Sequence, residues 1–119
     1  MDRRLSGRNR PLSVELLWWE GCPSTERALA ELRAALDELS LPDEVALREI
    51  STDVEAEAAR FTGSPTILIN GVELMEALGR GGGEEPAGLN CRVYRRRDGR
   101  VSPTPDPEDL REALKGAKR

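Results

Sequence analysis

The apolar residues of this chain change their spacing at Gly21, and that change constrains the first third of the fold. In residues 13–19, "SVELLWW", Val14, Leu16 and Trp18 fall on one side and Glu15, Leu17 and Trp19 on the other. Bulky side chains on both faces predict a largely buried strand. From Pro23 onward Leu29, Leu32, Leu36 and Leu39 recur every three or four residues, with Ala28 and Ala35 beside them. This predicts an amphipathic helix of about four to five turns. Pro23 suits its first turn, where a missing N–H costs nothing, and Pro42 follows its end. A helix that leaves such a strand and returns to a parallel neighbour crosses over right-handed.

Further along, "EVALREIS" (44–51) reads as a second strand and "TDVEAEAARFTG" (52–63) as a shorter helix. Thr52 with Glu55 three residues later is a capping-box pattern, and Gly63 suits the position after the helix. Thr66 to Ile69 is a β-branched and apolar run ending in Asn70-Gly71, a strong hairpin signal. Residues 79–88, "GRGGGEEPAG", lie in a glycine-rich loop that we place at 76–90. The segment 90–101 predicts a strand ending at an Asp98-Gly99 turn. A last helix has Asp106 as its cap, Pro107 in its first position, and Leu110 and Leu114 as its apolar stripe. The order β-α-β-α-β-β-α predicts a small α/β sheet layered by helices. We expect one domain over residues 12–117, preceded by a flexible basic tail at 1–11.

Charge and composition narrow the functional classes. The net charge of −4 argues against a nucleic-acid partner, because such binders carry a basic field. Arg3, Arg4, Arg8 and Arg10 form a basic cluster, but no apolar signal-peptide core follows them. No apolar run approaches the ~18 residues of a membrane span, so neither a membrane partner nor secretion is expected, and the expected compartment is the cytoplasm. There, two cysteines stay reduced unless they are catalytic. Histidine is absent, which removes the commonest general base and metal ligand, and no metal site or cofactor is expected. The glycine-rich loop lacks the Gly-Lys-Ser/Thr ending of a phosphate loop, and "RRRDGR" (95–100) reads as a solvated strand end.

Cys22 stands between the first strand and the first helix, where first-turn N–H groups and the helix dipole converge. Thiols so placed have pKa values lowered from ~8.5 to ~3.5–7.5. Glu20 opposes a second negative charge and Arg27 offsets it. The alternative is a buried, inert cysteine, since free cysteine is among the most buried residue types.

Trp19-Glu20-Gly21-Cys22-Pro23-Ser24-Thr25, followed about forty residues later by Ser64-Pro65-Thr66 and a hairpin, resembles the thioredoxin-fold family over roughly residues 13–75. The resemblance implies a thioredoxin-like four-stranded mixed sheet with helices on both faces. It also implies a nucleophilic Cys22 opposite a cis Ser64–Pro65 bond, with Trp19, Pro23, Ser64 and Pro65 forming the substrate side. The usual C-x-x-C is here C-P-S-T, as in monothiol members, so Thr25 replaces the resolving cysteine and would donate to the thiolate. The other candidate second thiol is Cys91. If Val72 to Leu74 returns as the fourth strand, the loop can deliver Cys91 to Cys22. If the segment from Cys91 is itself that strand, Cys91 starts ~16 Å away at ~3.3 Å per residue, too far for a disulfide.

The leading expectation is therefore a monothiol-type thiol–disulfide oxidoreductase acting on a disulfide- or thiol-containing protein or a small thiol. A non-catalytic thioredoxin-fold binding module is the alternative. The "GCP", "GSPT" and late "CR-x-Y" stretches also resemble small thioredoxin-like proteins described as alkylmercury-lyase-like. That resemblance implies a soft-metal or organomercurial thiol site at Cys22 and Cys91.

Overall fold

The computed structural model describes residues 12–80 and 87–118. The expected basic tail and part of the glycine-rich loop fall outside them. β1 (Val14–Trp18) lies inside a four-stranded sheet because its side chains have apolar partners on both faces. β2 (Ala46–Glu49) pairs with it in parallel and β3 (Thr66–Ile69) antiparallel, and β4 (Val72–Glu73) closes the order β2-β1-β3-β4. The β3–β4 link is the Asn70-Gly71 turn, with both residues at positive φ, 53° and 82°. Asn70 also ties the hairpin to the start of β1: its N–H donates to the Ser13 carbonyl at 2.6 Å and its side chain accepts from the Ser13 N–H at 2.9 Å.

Helices cover both faces of this mixed sheet. On one side α1 (Thr25–Glu38) buries Ala28, Leu32, Ala35 and Leu36 against Val14, Leu16, Ile67 and Ile69. The last helix, α4 (Pro107–Lys118), adds Leu110, Ala113 and Leu114 to that layer. On the other side α2 (Asp53–Ala59) contributes Ala56 to a smaller cluster with Leu17, Ile50 and Phe61. No helix among the described residues is long and apolar enough to cross a membrane.

Several boundaries differ from expectation, each for a local reason. α1 begins at Thr25 with Ser24 as its cap residue, so Pro23 lies in the turn before the helix. Thr52 caps α2 as expected, accepting the Glu55 N–H at 3.1 Å, but the Glu55 carboxylate reaches back to Ser51. α2 ends on Arg60 in the left-handed conformation (φ 56°), three residues before Gly63, which has a different task. A one-turn helix, α3 (Leu74–Ala77), follows β4 and was not foreseen; Glu73 caps it by accepting the Glu76 N–H.

The largest difference concerns residues 90–101. They do not extend the main sheet. Only β5 (Tyr94–Arg95) and β6 (Val101–Ser102) pair, as a separate two-stranded ribbon, with Gly99 at φ 92° in the turn. The arginines of "RRRDGR" are not simply solvated. Asp109 on α4 is completely buried and accepts from Arg80 and Arg97, and Arg97 also pairs with Glu112. Arg96 donates to the Thr104 hydroxyl at 3.0 Å. These bonds clasp the ribbon to α4.

Asp106 joins ribbon and helix: one carboxylate oxygen accepts the Arg97 N–H and the other the Glu108 N–H, each at 2.9 Å. The Arg97 N–H is the main reason its carboxyl lies below the usual range. Asp106→Ala is expected to cost about 1 kcal/mol at neutral pH in a urea titration, the usual worth of a helix cap. With a folded pKa below the unfolded one, this stability is present above ~3.9 and is lost as pH falls through the folded value. The gap between variant and parent should therefore close in acid.

Candidate functional site

The connection between β1 and α1 is a tight turn in which the Cys22 N–H donates to the Trp19 carbonyl at 3.0 Å. The turn folds Cys22 inward, leaving it only 5% exposed, while Pro23 on its far side stays in solvent and Trp19 is half-buried. Facing Cys22 is Ser64, fully buried and followed by a cis bond to Pro65. The Cys22 thiol donates to the Ser64 carbonyl at 3.3 Å, and the Ser64 hydroxyl accepts the Trp19 N–H at 3.1 Å. One buried serine therefore fixes both ends of the cysteine turn.

The remaining polar groups of Ser64 hold a third segment. Its N–H donates to the Asn90 carbonyl at 2.7 Å, and its carbonyl accepts the Arg92 N–H at 2.8 Å. Cys91, between them, forms an isolated parallel bridge with Ser64. Residues 88–92 thus lie as a strap beside the Ser64 backbone. Gly88 N–H donates to the Phe61 carbonyl at 2.9 Å at one end of it. Beyond the other, the buried Tyr94 hydroxyl donates to the Pro65 carbonyl at 2.6 Å. Burial holds the Tyr94 hydroxyl well above the usual phenol range, so it remains a donor. Arg92 is fastened by Glu73 at 2.7 Å and stacks over the Tyr94 ring at 4.6 Å. Gly63 makes this approach possible: a Cβ there would meet the Arg92 backbone at 3.0 Å.

The strap brings the two cysteines together, both as free thiols, with Cys91 exposed. Burial pushes the Cys22 thiol up, but hydrogen bonds outweigh it. The Ser24 N–H, the Cys91 thiol and the Ser64 and Ser24 hydroxyls all favour the thiolate, and the Cys22 pKa lies below its ordinary value. Cys91 shows the converse. Its hydrogen bond to the Cys22 sulfur, then burial, then the charge of that sulfur, hold its pKa up. Each thiol therefore biases the other: Cys22 gives up its proton more readily than an ordinary cysteine and Cys91 less readily.

Of the residues singled out from the sequence, Cys22, Ser64, Pro65 and Cys91 converge here, with Trp19 and Pro23 on the flanking turn. The donor role expected of Thr25 is not filled: its hydroxyl is buried without a hydrogen-bond partner, and Ser24 and Ser64 reach the sulfur instead. Arg27 does not offset Glu20 at the thiol, since it pairs with Glu31 one turn along α1 at 3.2 Å. Of the two geometries open to Cys91, the hairpin at Asn70-Gly71 realises the near one. Sequence reading missed Ser24, Gly63, Asn90, Arg92 and Tyr94. Tyr94, one of four aromatic residues and placed three after Cys91, was the signal that could have been used.

Among the described residues no group of three or more His, Cys, Asp and Glu side chains is placed to hold a metal ion. The chain matches no protein-family model, no curated protein and no solved structure.

Iodoacetamide alkylation followed across pH, with the site read by mass spectrometry, should give Cys22 a midpoint below and Cys91 a midpoint above the ~8.5 of a free cysteine. Cys91→Ala removes a donor to the thiolate, so the Cys22 midpoint should rise. An unchanged midpoint would show that the two thiols do not share a proton.

Proposed function

We propose that this chain is a thiol–disulfide oxidoreductase with a thioredoxin-like fold, in which Cys22 is the nucleophile and Cys91 the resolving thiol. The observation that carries the reading is the pair of adjacent free thiols held on Ser64, with the pKa of Cys22 lowered and that of Cys91 raised. The mixed sheet with helices on both faces, and the cysteine at the strand-to-helix turn facing a Ser-Pro step, support the fold assignment. A reducing compartment such as the cytoplasm would keep both thiols ready.

The electrostatics of the pair set an order of events. The Cys22 thiolate attacks one sulfur of a disulfide R–S–S–R′, forming a Cys22–S–S–R bond and expelling R′–S⁻. Cys22 then no longer carries the charge that held the Cys91 proton in place, so the Cys91 pKa falls towards its ordinary value. That proton leaves to the departing thiolate. The new Cys91 thiolate attacks the Cys22 sulfur, R–S⁻ departs, and a Cys22–S–S–Cys91 bond remains. The substrate gains two electrons and, once R–S⁻ takes a proton from solvent, becomes two thiols, and the chain becomes oxidised. A thiol reductant reverses the last bond and completes the cycle.

The same adjacency favours a second reading, a soft metal ion held linearly between two thiolates, with the organomercurial chemistry as its extension.

Treating the reduced chain with a stoichiometric small disulfide should yield an intramolecular Cys22–Cys91 bond, detected as a loss of two hydrogen atoms and a crosslinked peptide. Cys91→Ala should stop at a mixed disulfide on Cys22, and Cys22→Ala should slow the reaction by at least about tenfold, because the remaining thiol is mostly protonated at neutral pH. Failure of the parent chain to form the bond, together with stoichiometric mercuric ion binding lost in either variant, would favour the metal site. Absence of both disulfide formation and mercuric ion binding in the parent chain, with binding to a protein partner that survives Cys22→Ser, would favour a binding module.

A further inference from the structure

Resting on the redox reading, we propose that the substrate is a small disulfide, and that extended polypeptide segments are excluded because residues 88–92 already occupy the place where one would dock. An extended peptide adds to exposed backbone by pairing with free N–H and C=O groups. The backbone next to Cys22 that could receive it is that of Ser64, and both its groups are taken, at 2.7 Å by the Asn90 carbonyl and 2.8 Å by the Arg92 N–H. The strap also places a cysteine, Cys91, beside the nucleophile, where the reacting cysteine of a bound peptide would have to lie. The chain carries its own substrate-like segment.

Displacing that segment is costly. Its removal would strip both Ser64 bonds, and withdrawing the continuation as far as Tyr94 would leave the buried Pro65 carbonyl without its 2.6 Å partner. Cys22 is only 5% exposed, which favours a compact reagent over a bulky one. Pro23 in the same turn and Asn90 and Cys91 in the strap are solvent-exposed, so the side from which a small disulfide would approach carries no further covering segment among these neighbours. The arginine nearest the pair, Arg92, is committed to Glu73 and to the Tyr94 ring, so no free positive charge from it selects an anionic substrate.

The test uses the full chain carrying Cys91→Ser, which keeps the strap and halts exchange at the first step. Formation of the mixed disulfide at Cys22 is timed by mass spectrometry with two reagents. One is bis(2-hydroxyethyl) disulfide. The other is a disulfide-linked dimer of an unstructured peptide with its cysteine at the centre. Each rate is divided by that of free cysteine with the same reagent. The small reagent should then be favoured by at least about tenfold, the factor implied by breaking one or two backbone hydrogen bonds to admit a peptide. Adding Gly63→Ala, which presses on the Arg92 backbone, should narrow that preference, and Tyr94→Phe, which releases the Pro65 anchor, should narrow it independently. Equal normalised rates, or a preference that neither variant alters, would overturn the proposal. Reaction of Cys22 with neither disulfide, while iodoacetamide still alkylates it, would remove the redox reading and this inference with it.

Discussion

Every polar group of one fully buried residue, Ser64, is committed, and the candidate site is what those commitments hold together. Its hydroxyl takes the Trp19 N–H, its carbonyl takes both the Cys22 thiol and the Arg92 N–H, and its own N–H goes to Asn90. A buried backbone group left unpaired costs about 1–3 kcal/mol, so none of these bonds is optional. Three stretches distant in sequence meet at this point because each supplies a partner that Ser64 would otherwise lack. The downward shift of the Cys22 pKa is a by-product of the same economy: a sulfur enclosed among donors meets more hydrogen bonds than burial can cancel.

The rest of the molecule keeps Ser64 in position. β1 supplies the turn that carries Cys22, and β3, running antiparallel to it, begins two residues after Ser64. The Asn70-Gly71 turn sends the chain away through β4 and α3, which frees the edge of residues 61–64 for the strap. At the strap's far end, the α4 carboxylates of Asp109 and Glu112 grip the turn of the β5–β6 ribbon through Arg97, while Arg96 bonds the Thr104 hydroxyl ahead of the helix. Arginine suits this work because its planar fork serves two acceptors at once, as Arg97 does with Asp109 and Glu112. The cationic run that looked solvated in the sequence is a structural clasp.

What the sequence made legible was whatever depends on local period or on a single residue's conformational preference. The switch from two-residue to three- and four-residue spacing at Gly21 located β1 and α1, and Asn70-Gly71 located the hairpin, because both signals are contained within a few residues. The position of Cys22 between strand and helix was legible for the same reason, whereas the Ser64–Pro65 step was singled out through the resemblance. What could not be read was whatever depends on approach between distant segments. Gly63 reads equally well as a helix terminator or as clearance for another backbone, and only the position of Arg92 decides between them. Thr25 was assigned a role from its spacing, yet whether a hydroxyl on the first turn reaches the sulfur is settled by a rotamer, and Ser24 lies nearer. The strand expected over 90–101 is reduced to Tyr94–Arg95, because Asn90 and Arg92 bond to Ser64 rather than to a strand.

The distance in sequence between the two thiols has a consequence in time. During synthesis the first helix, the central strands and Cys22 all emerge before Cys91 does. Until then the Ser64 backbone lacks its strap, and the Cys22 sulfur lacks the neighbouring proton that helps to stabilise its charge. The second thiol of the proposed exchange is thus added to the site only with the last third of the polypeptide.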